Sequence, residues 1–105
     1  LVIMDNGRIV AEGPPSRLIA EHVTREVVEV RFDTAIAQEE SLASLSTLAA
    51  RVEPLADRVV LYADDGDAVA ATINELDLQV AAVLVRRASL EDVFLILTGR
   101  TLEEA

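Results

Sequence analysis

Hydrophobic and polar positions change period several times along this chain of 105 residues, and each change marks an element. Residues 1–4 are apolar, Asp5-Asn6-Gly7 is a strong turn signal, and residues 8–11 resume an extended pattern, so residues 1–12 predict a hairpin. Gly13-Pro14-Pro15 ends it, and proline at a first helical position starts a short helix over 17–22 carrying Leu18 and Ile19. From Glu26 the pattern alternates, with Val28, Val30 and Phe32 on one side and Glu29 and Arg31 between them, the signature of a half-buried strand. Residues 34–51 read as a helix with Leu42, Leu45, Leu48, Ala49 and Val52 at helical spacing. Residues 51–55 form a short strand whose Pro54 implies an edge or an early end. A further strand over 58–63 sets Val59 and Leu61 against Val60 and Tyr62. Asp64-Asp65-Gly66-Asp67 then opens a second amphipathic helix marked by Val69, Ile73 and Leu76. Residues 79–86 are apolar on both faces, Val80, Ala82 and Leu84 opposite Ala81, Val83 and Val85, which predicts a central strand.

The last helix, Ser89 to Arg100, has its start, buried face and stop all written in the sequence. Ser89 is placed to cap it, and Asp92 to reach back as the second half of a capping box. Leu90, Val93, Phe94 and Leu97 fall at i, i+3, i+4 and i+7 on one face. Gly99 suits the left-handed residue that closes a helix, and Arg100 stands at the negative end of its dipole. Leu95 and Ile96 lie off the main stripe and are expected to reach outward. The four stripe residues either complete the domain's core by packing on its own sheet, the favoured reading, or anchor it to a partner.

From Glu26 onward the order is strand, helix, strand, strand, helix, strand and terminal helix. Two strand–helix–strand units with right-handed crossovers predict an α+β fold, a ferredoxin-like βαββαβ sandwich plus a C-terminal helix. The preceding hairpin and short helix are too small to bury a core alone.

Half of the residues are apolar and only 3% aromatic, so the core must be built from Val, Leu, Ile and Ala. No apolar run approaches the roughly 20 residues that span a bilayer, and the first residues show no signal-peptide pattern. A chain that starts at Leu1 directly in a strand reads as a piece of something longer. The absence of cysteine removes disulfides and thiolate metal sites. The net charge is −10, and all nine basic residues are arginine. This balance argues against nucleic acid as a partner, because phosphate neutralisation supplies most of that affinity.

Candidate chemistry is sparse. His22 is the only histidine, at the end of a short helix, and Ser41, Ser44 and Ser46 have no partner histidine and read as surface positions. The acidic cluster 64–67 lacks the spacing and terminal Glu of a calcium loop, and serves equally well as a helix cap. There is no glycine-rich phosphate loop, and a chain without lysine cannot supply its lysine. No catalytic, cofactor-binding or metal-ligating residue is therefore assigned.

The string LVIMDNGRIVAEGPPSRLI, residues 1–19, resembles the end of the nucleotide-binding core of ABC transporter ATPases, with Asp5, Gly7, Arg8, Ile9, Gly13 and Pro15 in the expected places. Pro14 departs from the Thr or Ser usual there. SLEDVFL followed by LTGR, residues 89–100, is similar to the closing motif of the daunorubicin-resistance type of drug-export ATPase, whose subunits carry an extra domain after the core. The resemblance implies that residues 1–22 are the tail of the nucleotide-binding domain and residues 23–105 a C-terminal accessory domain. It implies a parent that couples ATP hydrolysis, with Mg, to export of a hydrophobic drug or lipid through a transmembrane permease, at the cytoplasmic face of the membrane. The family's ATP-site motifs would all precede Leu1, so this chain would need no cofactor and would be no enzyme by itself.

On this reading the chain pairs subunits, contacts the permease or regulates the ATPase cycle, and a homodimer in which the N-terminal segments pair or pack across the interface is expected, since an isolated hairpin leaves its edges uncovered. The runner-up is a small-molecule-sensing domain that binds an effector at a dimer interface. A free-standing enzyme comes third, for want of an assembled nucleophile or base.

Overall fold

A computed structural model describes residues 1–99 of the chain. Their elements run β1 (Val2–Asp5), β2 (Arg8–Glu12), α1 (Pro15–His22), β3 (Glu26–Phe32), α2 (Ala35–Leu45), β4 (Arg51–Pro54), β5 (Val59–Ala63), α3 (Gly66–Glu75), β6 (Val80–Arg87) and α4 (Leu90–Thr98). The result is an α+β protein with two antiparallel sheets. The described chain divides into two compact units, one of residues 25–87 and one that joins residues 1–24 to residues 88–99.

In the unit of residues 25–87 the strands lie in the order β4-β5-β3-β6. This is the expected ferredoxin-like sandwich. Val28 and Val30 of β3, Val59 and Leu61 of β5, Leu45 of α2 and Ile73 of α3 are almost fully buried together. Both helices therefore lie on one face of the sheet. Thr34 caps α2, its Oγ1 accepting from the Ala37 N–H at 3.1 Å. The helix ends six residues before the expected Arg51. Beyond it the Ser46 hydroxyl donates to the Leu42 carbonyl at 2.7 Å and Thr47 to that of Ser44 at 2.8 Å. Such side-chain bonds compete with continued helix. Leu48 and Ala49 still pack on the core from the turn that follows.

The start of α3 lies close against β6. A Cβ at Gly66 would stand 2.6 Å from Val85 Cγ1, so only glycine lets helix and strand approach this far. The Gly66 N–H donates to Glu26 Oε1 at 2.8 Å, and Asp65 accepts from Ala68 at 3.1 Å. At the other end Leu76 is already the C-cap and is 42% exposed, because Asp77 turns the chain away at φ 54°. Leu76 is thus not part of the buried face.

The expectation of a central strand over residues 79–86 is overturned, because β6 is an edge strand paired only with β3. The place on the other side of β3 is already occupied by β5. Val83 and Val85 pack on the core while Leu84 is 55% exposed.

The second unit contains the expected hairpin. Asn6 and Gly7 have φ of 51° and 76°, the left-handed pair of a two-residue type I′ turn. Pro14 occupies the cap position of α1 without a side-chain bond, and Pro15 opens the helix. The core of this unit is Ile3 from β1, Leu18 from α1, and Val93 and Phe94 from α4.

Candidate interaction surface

The face of α4 marked out by its spacing is interior to this second unit. Val93 is fully buried and Phe94 is 9% exposed, packed with Ile3 and Leu18, while Leu90 and Leu97 lie half-buried around them. Their packing surface is the hairpin and α1. Leu95, expected to reach outward, is also buried, and Ile96 is half-buried. A helix apolar on so much of its circumference is withdrawn from water on more than one side.

The ends of α4 follow the sequence signals. Asp92, nearly fully buried, accepts from the Ser89 N–H at 2.7 Å and from the Ser89 hydroxyl at 3.2 Å. Gly99, at φ 74°, donates its N–H to the Leu95 carbonyl at 2.7 Å. Arg100, the expected partner of the helix dipole, lies outside the described residues.

The residues weighed for chemistry are accounted for by local structure. His22 stands in the last turn of α1. Ser41 is buried rather than on the surface, because its hydroxyl donates to the Ala37 carbonyl at 2.8 Å and so satisfies itself on the helix. Of the acidic cluster, Asp65 caps α3 and Asp64 Oδ1 accepts from the Arg25 N–H at 3.3 Å. Among the described residues no group of three or more His, Cys, Asp or Glu side chains converges as a metal site would require.

The main charge constellation is on the face of the larger sheet opposite its helices. Glu29 on β3 lies across from Val60 on β5 and Leu84 on β6, so Arg58 and Arg86 are its diagonal neighbours. Arg58 Nε stands 3.0 Å from Glu29 Oε1, and Arg86 Nε donates to Oε2 at 2.6 Å. The Glu29 side chain is only 12% exposed. Asp57 extends the cluster, accepting from Arg31 at 2.9 Å and Arg58 at 2.8 Å. The hydrogen bond from Arg31, helped by the charge of Arg58, holds the Asp57 carboxyl below its ordinary range. Sequence periodicity marks Glu29 only as a polar position between valines. The available signal was β5, whose Val60 and Tyr62 are apolar on the same face and are buried.

Two exposed apolar surfaces stand out among the described residues. On the smaller unit, Val2, Met4, Ile9 and Val10 of the hairpin are exposed, and Leu1–Met4 with Leu90 and Phe94 line an open groove of about 300 Å³. The side chains that line it are all apolar, none of them a polar group that would orient a small ligand. On the larger unit, the edge of β6 exposes Ala81, Ala82 and Leu84 beside a groove of about 370 Å³ that runs along the end of α3.

Comparison with known proteins decides the kinship. The family model described as "Nodulation factor export protein NodI, C-terminal domain" matches residues 34–99. The chain belongs to this family. It is 39% identical to the Nod factor export ATP-binding protein I of Ralstonia nicotianae, over 99% of this chain and 33% of that protein. It is 37% identical to the protein of the same name from Mesorhizobium japonicum, over 99% of this chain and 29% of that protein. The match in Paraburkholderia xenovorans is 36% identical over 99% of this chain and 33% of that protein. This chain therefore spans about a third of the length of these relatives. It is the C-terminal domain of an ABC ATP-binding subunit, as the resemblance implied. No solved structure matches it. No described helix is long and apolar enough to cross a membrane.

Proposed function

We propose that this chain is the accessory domain through which an exporter's ATP-binding subunit pairs with a second subunit and meets its permease, with no nucleotide site of its own. The family match carries this reading, since it assigns the chain to the C-terminal domain of ATP-binding relatives whose names describe Nod factor export. The exposed apolar surfaces of the hairpin and of β6 support protein contact over catalysis. In the parent subunit ATP and Mg would be held by the preceding core, and the subunit would sit at the cytoplasmic face of the membrane through its permease. The cargo would be a hydrophobic drug or a lipid.

The test uses the full-length subunit with its permease. Glu26 pairs with Arg87, so the two ends of the unit 25–87 emerge side by side and a short Gly-Ser linker can replace it. Nucleotide binding should survive this replacement, while export and subunit pairing fall. Unchanged export would overturn the proposal.

A further inference from the structure

Strand β6 carries a pattern that its place in the fold does not explain. It is eight residues long and apolar on both faces from Val80 to Val85, and it stands at an edge of the sheet. The opposite edge, β4, is protected in the usual ways, being four residues long, ending in Pro54 and bearing Arg51 and Glu53. Edge β6 has no proline, no bulge beyond the one near Val80, and no charge before Arg86. Leu84, in its middle, is 55% exposed.

We infer that β6 pairs antiparallel with β6 of a second copy, joining two four-stranded sheets into one of eight strands across a two-fold axis at Leu84. This rests on the subunit-pairing reading and names its surface. Because side chains alternate, directly opposite residues share a face, so an axis perpendicular to the sheet keeps both helix layers on the same side. Ala82 and Leu84 then extend one continuous face, and Val83 and Val85 the other.

The occupant is a second copy because this edge is complementary to itself. Exposed Glu75 and Asp77, at the end of α3 and in the turn after it, precede its leading end, and exposed Arg87 closes its trailing end beyond Arg86, which is paired with Glu29. Antiparallel pairing brings the basic end of each copy beside the acidic end of the other. In a chain of net charge −10 that repels its own copies, this edge is neutral along its length and attractive at its ends.

The test uses the 105-residue chain, which contains no cysteine. Sedimentation equilibrium compares it with Leu84→Lys. Within one copy the new lysine lies across from Glu29 and is accommodated, whereas across the axis two lysines meet. The expected result is a dimer whose dissociation constant rises at least tenfold in the variant, with an unchanged circular dichroism spectrum. In parallel, oxidised Leu84→Cys should form a disulfide dimer, and Ile9→Cys, on the exposed hairpin, should not. A dimer unaffected by Leu84→Lys and cross-linked through Ile9→Cys overturns the β6 proposal while leaving subunit pairing intact. A chain that stays monomeric at several hundred micromolar overturns both.

Discussion

Glu29 and Arg86, 57 positions apart in sequence, are joined by a hydrogen-bonded ion pair of 2.6 Å on one face of the larger sheet. The pair sets the last strand of the βαββαβ unit against its first, and Arg58, just before β5, adds an ion pair to Glu29 from the other side. A carboxylate so far withdrawn from water is tolerable only because two guanidinium groups converge on it.

Glu29→Gln removes that charge and leaves Arg58 and Arg86 without their shared partner. The unit should lose about 2 kcal/mol, since breaking a largely buried pair costs more than an exposed one. Urea denaturation should show a lower midpoint at unchanged slope, and Glu53→Gln, at a more exposed pair with Arg51, should shift it far less.

At Gly66 the expected effect is steric. In open space Gly→Ala would stabilise the first turn of a helix by reducing the freedom of the unfolded chain. Here the new methyl meets Val85 Cγ1, so Gly66→Ala should destabilise by about 1–3 kcal/mol. Adding Val85→Ala should relieve part of that loss, giving a double mutant more stable than the sum of the singles. Strict additivity in thermal denaturation would show that the contact does not limit the approach.

Much of the fold was legible because local chemistry and global position agree at these residues. Asn6-Gly7 could only be a tight turn, Ser89 and Asp92 marked a helix start, and Val59–Tyr62 alternated as a two-faced strand. The position of β6 was not legible, because periodicity reports which faces are apolar and not how many strands lie alongside. Nor did the pattern of α4 say what it packs on. Leu90, Val93, Phe94 and Leu97 define a face, but only the folded chain places that face against Ile3 and Leu18. Glu29 escaped notice because its arginines come from strands that sequence spacing does not connect.

The packing of α4 gives a third prediction. Phe94→Ala should cost about 3 kcal/mol in the smaller unit, as expected for a buried aromatic that leaves a cavity. Leu18→Ala should cost about as much, and the two should couple because they line one core. Amide hydrogen exchange along α1 and α4 should accelerate together in either variant. Exchange that rises along α4 alone would indicate that this core is not shared.

Asp57 contributes to the acid side of the stability profile. Its carboxyl titrates below its ordinary value, so its stabilising effect is fully present above about pH 4 and is lost as pH falls through the lowered folded value. The side chain is 58% exposed, so solvent screening limits the contribution to under about 1 kcal/mol. Asp57→Asn should flatten the decline of the denaturation midpoint between about pH 4 and pH 2, and should lower stability slightly at pH 7. At high salt the wild-type chain should approach the variant at pH 7, because the pairs with Arg31 and Arg58 are open to screening ions. A midpoint difference at pH 7 that persists undiminished in concentrated salt would mean that Asp57 stabilises through hydrogen-bond geometry and not through its charge.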